Sequence, residues 1–159
     1  MNAEANKVEE SVSVREGDLF EPLRGERFDV IISNPPCMPV PKPWHSKEWS
    51  MRLAVDGGDD GADLYVPLLT SAPDFLNPSG KLYIPIPKWS NWRRIEHLLN
   101  AHYEWSKVEA TLVPYWLTRY GDEFVEHIHR LLDSGVVEYD TFADGGLVAP
   151  VFLAEATPR

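Results

Sequence analysis

The chain has 159 residues, of which 43% are hydrophobic and 11% aromatic, and this is enough for one folded domain with a core. Its formal net charge is −10, from 15 lysines and arginines against 25 aspartates and glutamates. Nucleic-acid binding draws its affinity from cationic side chains, so this charge argues against a nucleic-acid partner. The only cysteine, Cys37, excludes internal disulfides. The sequence shows no signal segment and no apolar run of membrane-spanning length, which predicts a cytoplasmic protein.

The first half of the chain predicts two strands followed by a long loop. Residues 11–15 alternate in polarity, which predicts a short strand. Residues 27–33 contain a continuous β-branched apolar run, which is typical of a strand covered on both faces. Pro35 and Pro36 end this strand, because proline has no N–H for the hydrogen-bond ladder. Residues 38–55 are rich in proline and tryptophan and predict an irregular loop.

Helices and strands are predicted to alternate through the rest of the chain. Residues 62–76 place their apolar side chains on one helical face, and residues 77–80 predict a turn. An alternating strand follows, in which Pro85 is expected to end the regular pairing or force a bulge. The remaining predicted elements are a helix from Trp92 capped by Ser90 or Asn91, a strand at 107–113, a helix marked by Phe124, Ile128 and Leu132 and closed by Gly135, and a hairpin of residues 136–140 and 147–156 around a turn at 144–146.

Ser33 and Asn34 follow the predicted strand 27–33 at its carboxyl end, where open α/β sheets bind their ligands. Asn34 offers an amide oxygen, and residues 34–36 offer backbone carbonyls with no N–H at either proline. Such a rigid turn can hold an –NH2 group by its hydrogens and leave the nitrogen lone pair facing a reagent. The turn is therefore a candidate site for chemistry at nitrogen.

Residues 28–36, Phe-Asp-Val-Ile-Ile-Ser-Asn-Pro-Pro, resemble the catalytic loop of class I S-adenosylmethionine-dependent methyltransferases that modify amide or amino nitrogens. This group includes release-factor glutamine methyltransferases and adenine-N6 methyltransferases. Residues 16–22 resemble its acidic adenine-binding corner, and residues 56–65 resemble a Gly-Gly-x-Asp-Gly segment of the glutamine branch. The resemblance implies an α/β fold with a Rossmann-like class I methyltransferase sheet, and methyl transfer to an amide or amino nitrogen.

The resemblance also implies the site residues and the cofactor, S-adenosylmethionine. The implied catalytic residues are Asn34, Pro35, Pro36 and Cys37, and the implied cofactor-binding residues are Asp18, Leu19, Phe20 and Asn34. No metal site is expected, because the five histidines show no ligand-like spacing and there is no cysteine cluster.

Cys37 departs from the family pattern, which usually has an aromatic residue at this position to stack on the planar acceptor. A thiol offers no such face, so Cys37 is interpreted as a small buried filler. Trp44 or Trp49 in the following loop is a candidate replacement for the missing aromatic surface, and packing in the core or in a lid is the alternative for both.

A second departure is that the chain contains no Gly-x-Gly-x-Gly turn for the cofactor. By the resemblance, residues 1–159 form a single domain that corresponds to the C-terminal part of the catalytic domain and lacks the first two strands. Residues 121–146 are interpreted as an insertion before the last strand. Residues 27–33 then become an open strand edge, which predicts pairing into a homodimer.

Two classes of function remain open from the sequence. The first is a methyltransferase acting on a protein or a small molecule rather than on DNA or RNA, as the net charge favours. The alternative is an inactive, methyltransferase-like interaction protein, which the missing glycine turn and Cys37 favour. A winged-helix binding module over residues 121–156 is disfavoured, because its predicted helix is acidic and would be repelled by phosphate.

Residues 56–63 combine glycines with several aspartates, and we predict a structural role for them. The neighbouring carboxylates would repel a phosphate, and the spacing does not match a calcium-binding loop. The glycines are expected to form a tight turn beside the Asn-Pro-Pro loop, with an aspartate capping the helix at 62–76.

Overall fold

A computed structural model describes residues 2–45, 52–115, 121–141 and 147–159. Its strands form one sheet in the order β1-β2-β5-β3, with β4 also paired to β5. The pairing of β1 with β2 is parallel, and the other pairs are antiparallel. The strands are β1 (Phe28–Ile32), β2 (Leu76–Pro87), β3 (Tyr103–Tyr115), β4 (Asp140–Thr141) and β5 (Leu147–Pro158).

The helices, apart from the first at residues 2–5, lie between strands in the sequence, and those at residues 65–71 and 92–102 cover one face of the sheet. They are α1 (Asn2–Ala5), α2 (Lys42–His45), α3 (Arg52–Val55), α4 (Tyr65–Ser71), α5 (Trp92–His102) and α6 (Asp122–Asp133), with 3-10 turns at Glu9–Ser11, Glu21–Leu23 and Ala72–Phe75. In the described ranges, no helix has both the length and the apolar character that crossing a membrane requires. The mixed sheet with its helices confirms the predicted α/β class.

The main core lies between the sheet and helices α4 and α5. Alternate residues of β2 and β5 point into it, as the two-residue repeat of a strand requires. The hydroxyl of Tyr103 donates to the Leu69 carbonyl at 2.7 Å, an acceptor left over because Pro73 has no N–H to continue α4. The fully buried members include Tyr65, Leu69, Leu82, Ile84, Ile86, Ile95, Leu99, Tyr103, Ala154 and Ala156.

A second apolar cluster joins α6 to the segment that follows the Asn-Pro-Pro loop. Phe124 and Ile128 of α6 are fully buried and pack with Met38 and Val40. His127 is also buried, and its Nε2 lies 2.7 Å from the Asp59 carbonyl oxygen. Helix α6 therefore supports both the loop and the glycine-rich turn beside it.

The strand predicted at 27–33 is present as β1, but the prediction that both of its faces are covered is wrong. Val30 is 51% exposed and Ile32 is 79% exposed, while Ile31 packs against the main core. The reason is the position of β1, which pairs with β2 alone and has helices on one face only. Within the described strands, β1 forms one edge of the sheet, and this confirms the predicted open edge.

Strand β2 continues through Pro85, so the predicted interruption is wrong. Pro85 pairs with Leu153 without a register shift. The Ser33 N–H donates to the Tyr83 carbonyl at 3.1 Å, which shows that odd-numbered residues of β2 direct their peptide groups toward β1. Pro85 therefore lacks an N–H on the β1 side, beyond the last β1 pair at Ile32, where no ladder bond is lost.

Four further predictions need correction. The turn predicted at residues 77–80 is instead part of β2, at the point where its pairing with β1 shifts register between Phe28 and Val30. Residues 12–16 have no regular structure, because this segment pairs with no described strand that would hold it extended. The loop at 38–55 contains two short helices, α2 and α3, and Trp49 lies outside the described residues. The helix predicted at 62–76 begins at Tyr65 without an aspartate cap, because residues 57–63 are held in the preceding turn.

Other predicted elements are confirmed. The Asn91 side chain caps α5 by accepting from the Arg94 N–H at 3.1 Å. Helix α6 ends before Gly135, which has a φ of +69° and donates its N–H to Leu132. The hairpin is confirmed only in part: β4 pairs antiparallel with β5, but it begins at Asp140, and the residues predicted as strand at 136–139 are not in a strand. The turn predicted at 144–146 lies outside the described residues. The interpretation of residues 121–146 as an insertion stays a prediction.

Candidate functional site

The Asn-Pro-Pro loop begins where β1 leaves the sheet. The Ser33 N–H still bonds to β2, so the chain leaves the ladder only at Asn34. Asn34 is exposed, and its side-chain amide has no hydrogen-bonding partner among the described residues. Pro35 is buried directly behind it. The amide is thus presented to solvent by a backbone that is fixed on both sides.

The glycine-rich turn at residues 56–63 packs directly against this loop. The Gly57 N–H donates to the Met38 carbonyl at 2.9 Å, and the Val40 N–H donates to the Gly58 carbonyl at 2.8 Å. A Cβ on Gly57 would lie 2.8 Å from the Cys37 Cα, so only glycine fits this approach. The predicted structural role of the turn, beside the loop, is confirmed.

Aspartates stabilise the turn itself rather than a helix. The Asp56 carboxylate accepts from the Gly58 N–H, and the Asp60 carboxylate accepts from the Ala62 N–H, both at 3.0 Å. Asp60 also accepts from the Asn91 side chain at 2.8 Å, which ties the turn to the start of α5. The carboxylates of Asp56 and Asp60 therefore accept hydrogen bonds from backbone N–H groups of the turn itself.

Ser90 holds the loop from the opposite side. It is fully buried, and its hydroxyl donates to the Cys37 carbonyl at 2.5 Å. Gly61 has a φ of +79°, and a Cβ there would lie 2.6 Å from that carbonyl oxygen. Sequence reasoning considered Ser90 only as a helix cap and missed this contact.

A cavity of about 560 Å³ opens beside Asn34 on the sheet face that α4 and α5 do not cover. None of its described lining residues carries a charged side chain, and most are apolar. Such a cavity favours a neutral group, because a charge loses its hydration on entry and finds no partner. The lining residues are Ile32, Ser33, Asn34, Pro35, Cys37, Met38, Ala54, Val55, Tyr83, Pro85, Pro87, Trp89, Val113, Val151 and Leu153.

An ion pair lies next to this cavity on the same sheet face. The Glu155 carboxylate accepts from Lys81 at 2.8 Å and from the Tyr83 hydroxyl at 2.5 Å. The Lys81 hydrogen bond, followed by that of Tyr83, lowers the pKa of Glu155. The hydroxyl of Tyr83 is therefore occupied by Glu155, although Tyr83 also lines the cavity.

The Cys37 thiol lies at the cavity wall. Burial raises its pKa, and hydrogen bonds with the side chains of Trp89 and Ser90 oppose that shift only in part. The thiol is consequently neutral at physiological pH and is not a poised nucleophile. This fits the interpretation of Cys37 as a filler.

Trp89 is the aromatic side chain next to Cys37, and sequence reasoning missed it. It lines the cavity with Asn34, whereas Trp44 packs edge-on against Phe124 and is not among the lining residues. Of the two alternatives for Trp44, the structure shows packing in the second apolar cluster. Trp49 lies outside the described residues. The sequence did contain a signal for placing Trp89 near Asn34. Trp89 follows β2 as Asn34 follows β1, and the carboxyl ends of these two parallel strands lie at the same edge of the sheet.

The residues predicted to bind the cofactor line two different cavities. Asp18, Leu19 and Phe20 line a separate cavity of about 260 Å³, while Asn34 lines the larger one. Phe20 stacks on Phe75 with ring centroids 4.6 Å apart. Leu19 has a φ of +45°, a left-handed conformation that non-glycine residues adopt at a cost and that is often found at functional sites.

No cluster of three or more potential metal ligands occurs within the ranges that the structure describes. The ring of His127 is hydrogen bonded to the Asp59 carbonyl in the turn, and His129 is exposed on the other side of α6. The two side chains point apart, as their spacing in the sequence predicts.

About half of the chain is similar in sequence to known glutamine methyltransferases. Over 80 residues, 47% of the chain, it is 44% identical to release factor glutamine methyltransferase of Geobacter sulfurreducens, of which 28% is covered. Over 91 residues, 54% of the chain, it is 36% identical to ribosomal protein uL3 glutamine methyltransferase of Bradyrhizobium diazoefficiens, again covering 28%. Over 104 residues, 63% of the chain, it is 40% identical to release factor glutamine methyltransferase of Xylella fastidiosa, covering 37%. No protein-family model matches.

These similarities confirm the resemblance that the motifs predicted, and with it the Rossmann-like interpretation of the sheet. The chain spans 28–30% of the length of several curated relatives that it matches.

Proposed function

We propose that this protein is an S-adenosylmethionine-dependent methyltransferase that methylates the side-chain amide nitrogen of a glutamine in a protein substrate. The observation that carries the proposal is the exposed Asn34 amide at the mouth of an uncharged cavity. Similarity to proteins named release factor and ribosomal protein uL3 glutamine methyltransferases supports both the reaction and a protein substrate. The net charge of −10 favours a protein over DNA or RNA.

In this proposal Asn34 orients the acceptor. Its amide oxygen accepts a hydrogen from the substrate –NH2 group, and the Pro35 carbonyl is the second acceptor. Gly57, Gly61 and Ser90 hold the loop from two sides, so the positions of both acceptors are set before the substrate arrives. Catalysis then consists mainly of positioning.

The cavity suits an amide better than an ammonium group. The described lining residues include no carboxylate to stabilise a cation or to remove its proton, and the Cys37 thiol stays neutral because burial raises its pKa. A carboxamide is neutral, and its nitrogen, made strongly acidic by methylation, loses its proton to water as the new bond forms. An acceptor with an amino nitrogen would require a base from elsewhere.

The cavity lined by Asp18, Phe20 and Phe75 fits the adenine end of the cofactor. The Asp18 carboxylate can accept from an exocyclic amino group, and the stacked rings of Phe20 and Phe75 offer an apolar surface to a planar base. When bound, S-adenosylmethionine would supply an electrophilic methyl group. Asn34 would then hold the acceptor nitrogen in line with that methyl group.

The test is transfer of a labelled methyl group to a peptide with one glutamine, with the product located by mass spectrometry. Asn34→Ala is expected to lower the rate about 100-fold or more, because the substrate nitrogen loses its orienting acceptor. Asn100→Ala is the matched control, since Asn100 is an exposed asparagine that accepts a hydrogen bond from Trp105. Equal rates for the two variants, or methylation at another atom, would contradict the proposal. Partner binding without any transfer would instead favour the interaction protein.

A further inference from the structure

We propose that Trp89 determines the acceptor specificity of this site by forming the flat wall against which a planar acceptor group lies. This inference rests on the proposed function, because it takes the cavity beside Asn34 as the acceptor cavity. Among the described residues that line the cavity, the ring-bearing aromatic side chains are Tyr83 and Trp89, and the others are aliphatic, small, proline or sulfur-containing.

Tyr83 is the weaker candidate for such a wall. Its hydroxyl is hydrogen bonded to Glu155, which is itself paired with Lys81. A ring tied to this charged group has its orientation set by the ion pair. Trp89 lines the same cavity beside Cys37, in the loop that carries Asn34, and its side chain interacts with the Cys37 thiol.

The backbone on both sides of Trp89 is firmly held. The Lys88 N–H donates to the Pro150 carbonyl at 2.9 Å, and the Lys88 ammonium lies 3.1 Å from Glu138. On the other side, Ser90 is fully buried and bonds to the Cys37 carbonyl. Trp89 therefore projects from a fixed turn, which keeps the loss of conformational entropy on binding small.

Residue 37 cannot provide an aromatic surface, so in this proposal the surface comes from Trp89, which follows another strand. A thiol is small and offers no planar surface, so residue 37 leaves space that a flat group can occupy. Trp89 borders that space, because it contacts Cys37 and lines the same cavity as Asn34. The acceptor would thus be held at its edge by Asn34 and on its face by Trp89, two residues that follow different strands.

The experiment compares Trp89→Phe, which keeps a flat ring, with Trp89→Leu, which keeps apolar bulk without one. Binding of a capped peptide with a central glutamine, and of the same peptide with norleucine, is measured by ligand-observed NMR. The wild type and Trp89→Phe are expected to prefer glutamine, and Trp89→Leu is expected to lose about threefold to tenfold of that preference. Trp105→Phe is the control, because Trp105 packs on the helix-covered side of the sheet.

The outcomes separate this inference from the proposed function. If the wild type does not distinguish the two peptides, the proposed function fails and the inference fails with it. If the wild type prefers glutamine but the Phe and Leu variants behave alike, Trp89 is only a packing residue and the inference alone is overturned. Alkylation of Cys37, the only thiol, should proceed at similar rates in both variants, which checks that the loop is in place. Trp89→Met replaces the Leu variant if the latter does not fold.

Discussion

At the scale of single residues, Cys37 lies between two opposing influences on its thiol. Burial disfavours the thiolate and is the larger effect, while hydrogen bonds with Trp89 and Ser90 favour it. The result is a pKa above the ordinary value of 9.0. Because burial makes the Cys37 thiol a poor nucleophile, its rate of alkylation should rise when the loop packs less tightly.

We predict that Cys37 makes the stability of the fold depend on alkaline pH. Its raised pKa means that the unfolded chain loses the thiol proton first, so this contribution is complete below the unfolded value and is lost as the pH rises toward the folded value. The free energy of unfolding, from urea titrations at about pH 8 and about pH 9.5, should fall more for the wild type than for Cys37→Ala. Equal falls would show that the thiol is not buried in the native state.

At the scale of elements, the turn at 56–63 holds the Asn-Pro-Pro loop in place. Its carboxylates satisfy its own backbone N–H groups, and its glycines allow the loop to approach closely. Helix α6 supports the same turn through His127, and α5 supports it through Asn91. Elements distant in the sequence thus converge on one short segment.

We predict that Gly61→Ala destabilises the fold more than Gly25→Ala does. Both glycines have a positive φ, at +79° and +84°, so each substitution carries similar backbone strain of about 1–2 kcal/mol. Only at position 61 would the added Cβ also meet the Cys37 carbonyl, at 2.6 Å, whereas position 25 has nothing within 4 Å. Chemical denaturation gives the difference in stability, and faster alkylation of Cys37 should accompany Gly61→Ala alone. Similar losses in the two variants would rule out a role of the turn in holding the loop.

At the scale of the whole molecule, the sheet has one face covered by helices and one that is largely open near β1. Val30 and Ile32 lie on the open face, beside the cavity that contains Asn34. The outermost of the described strands are β1 and β3, and both carry exposed apolar side chains. The homodimer predicted through residues 27–33 is not supported by the sequence similarities and stays a prediction.

If that homodimer forms, we predict that Ile32→Lys abolishes it while Leu112→Lys does not. Lysine on an edge strand opposes pairing with another chain, and both positions tolerate it because Ile32 is 79% exposed and Leu112, on β3, is 64% exposed. Stability should change by about 0.5 kcal/mol or less in either variant. The mass measured by analytical ultracentrifugation decides the matter: a monomeric wild type, or a dimer that both variants retain, contradicts pairing through β1.

The sequence by itself determined β1, its end before Pro35, the apolar repeat of α5 with its Asn91 cap, and the position of Asn34. These features depend on side-chain repeats and on the missing proline N–H, which act within a few residues of the chain. Only the tertiary structure decided that β1 is half-exposed, that Pro85 leaves the register of β2 unchanged, and that Trp89 rather than Trp44 borders the cavity beside Asn34. Burial and proximity depend on which strands become neighbours, and contacts between distant segments set that arrangement.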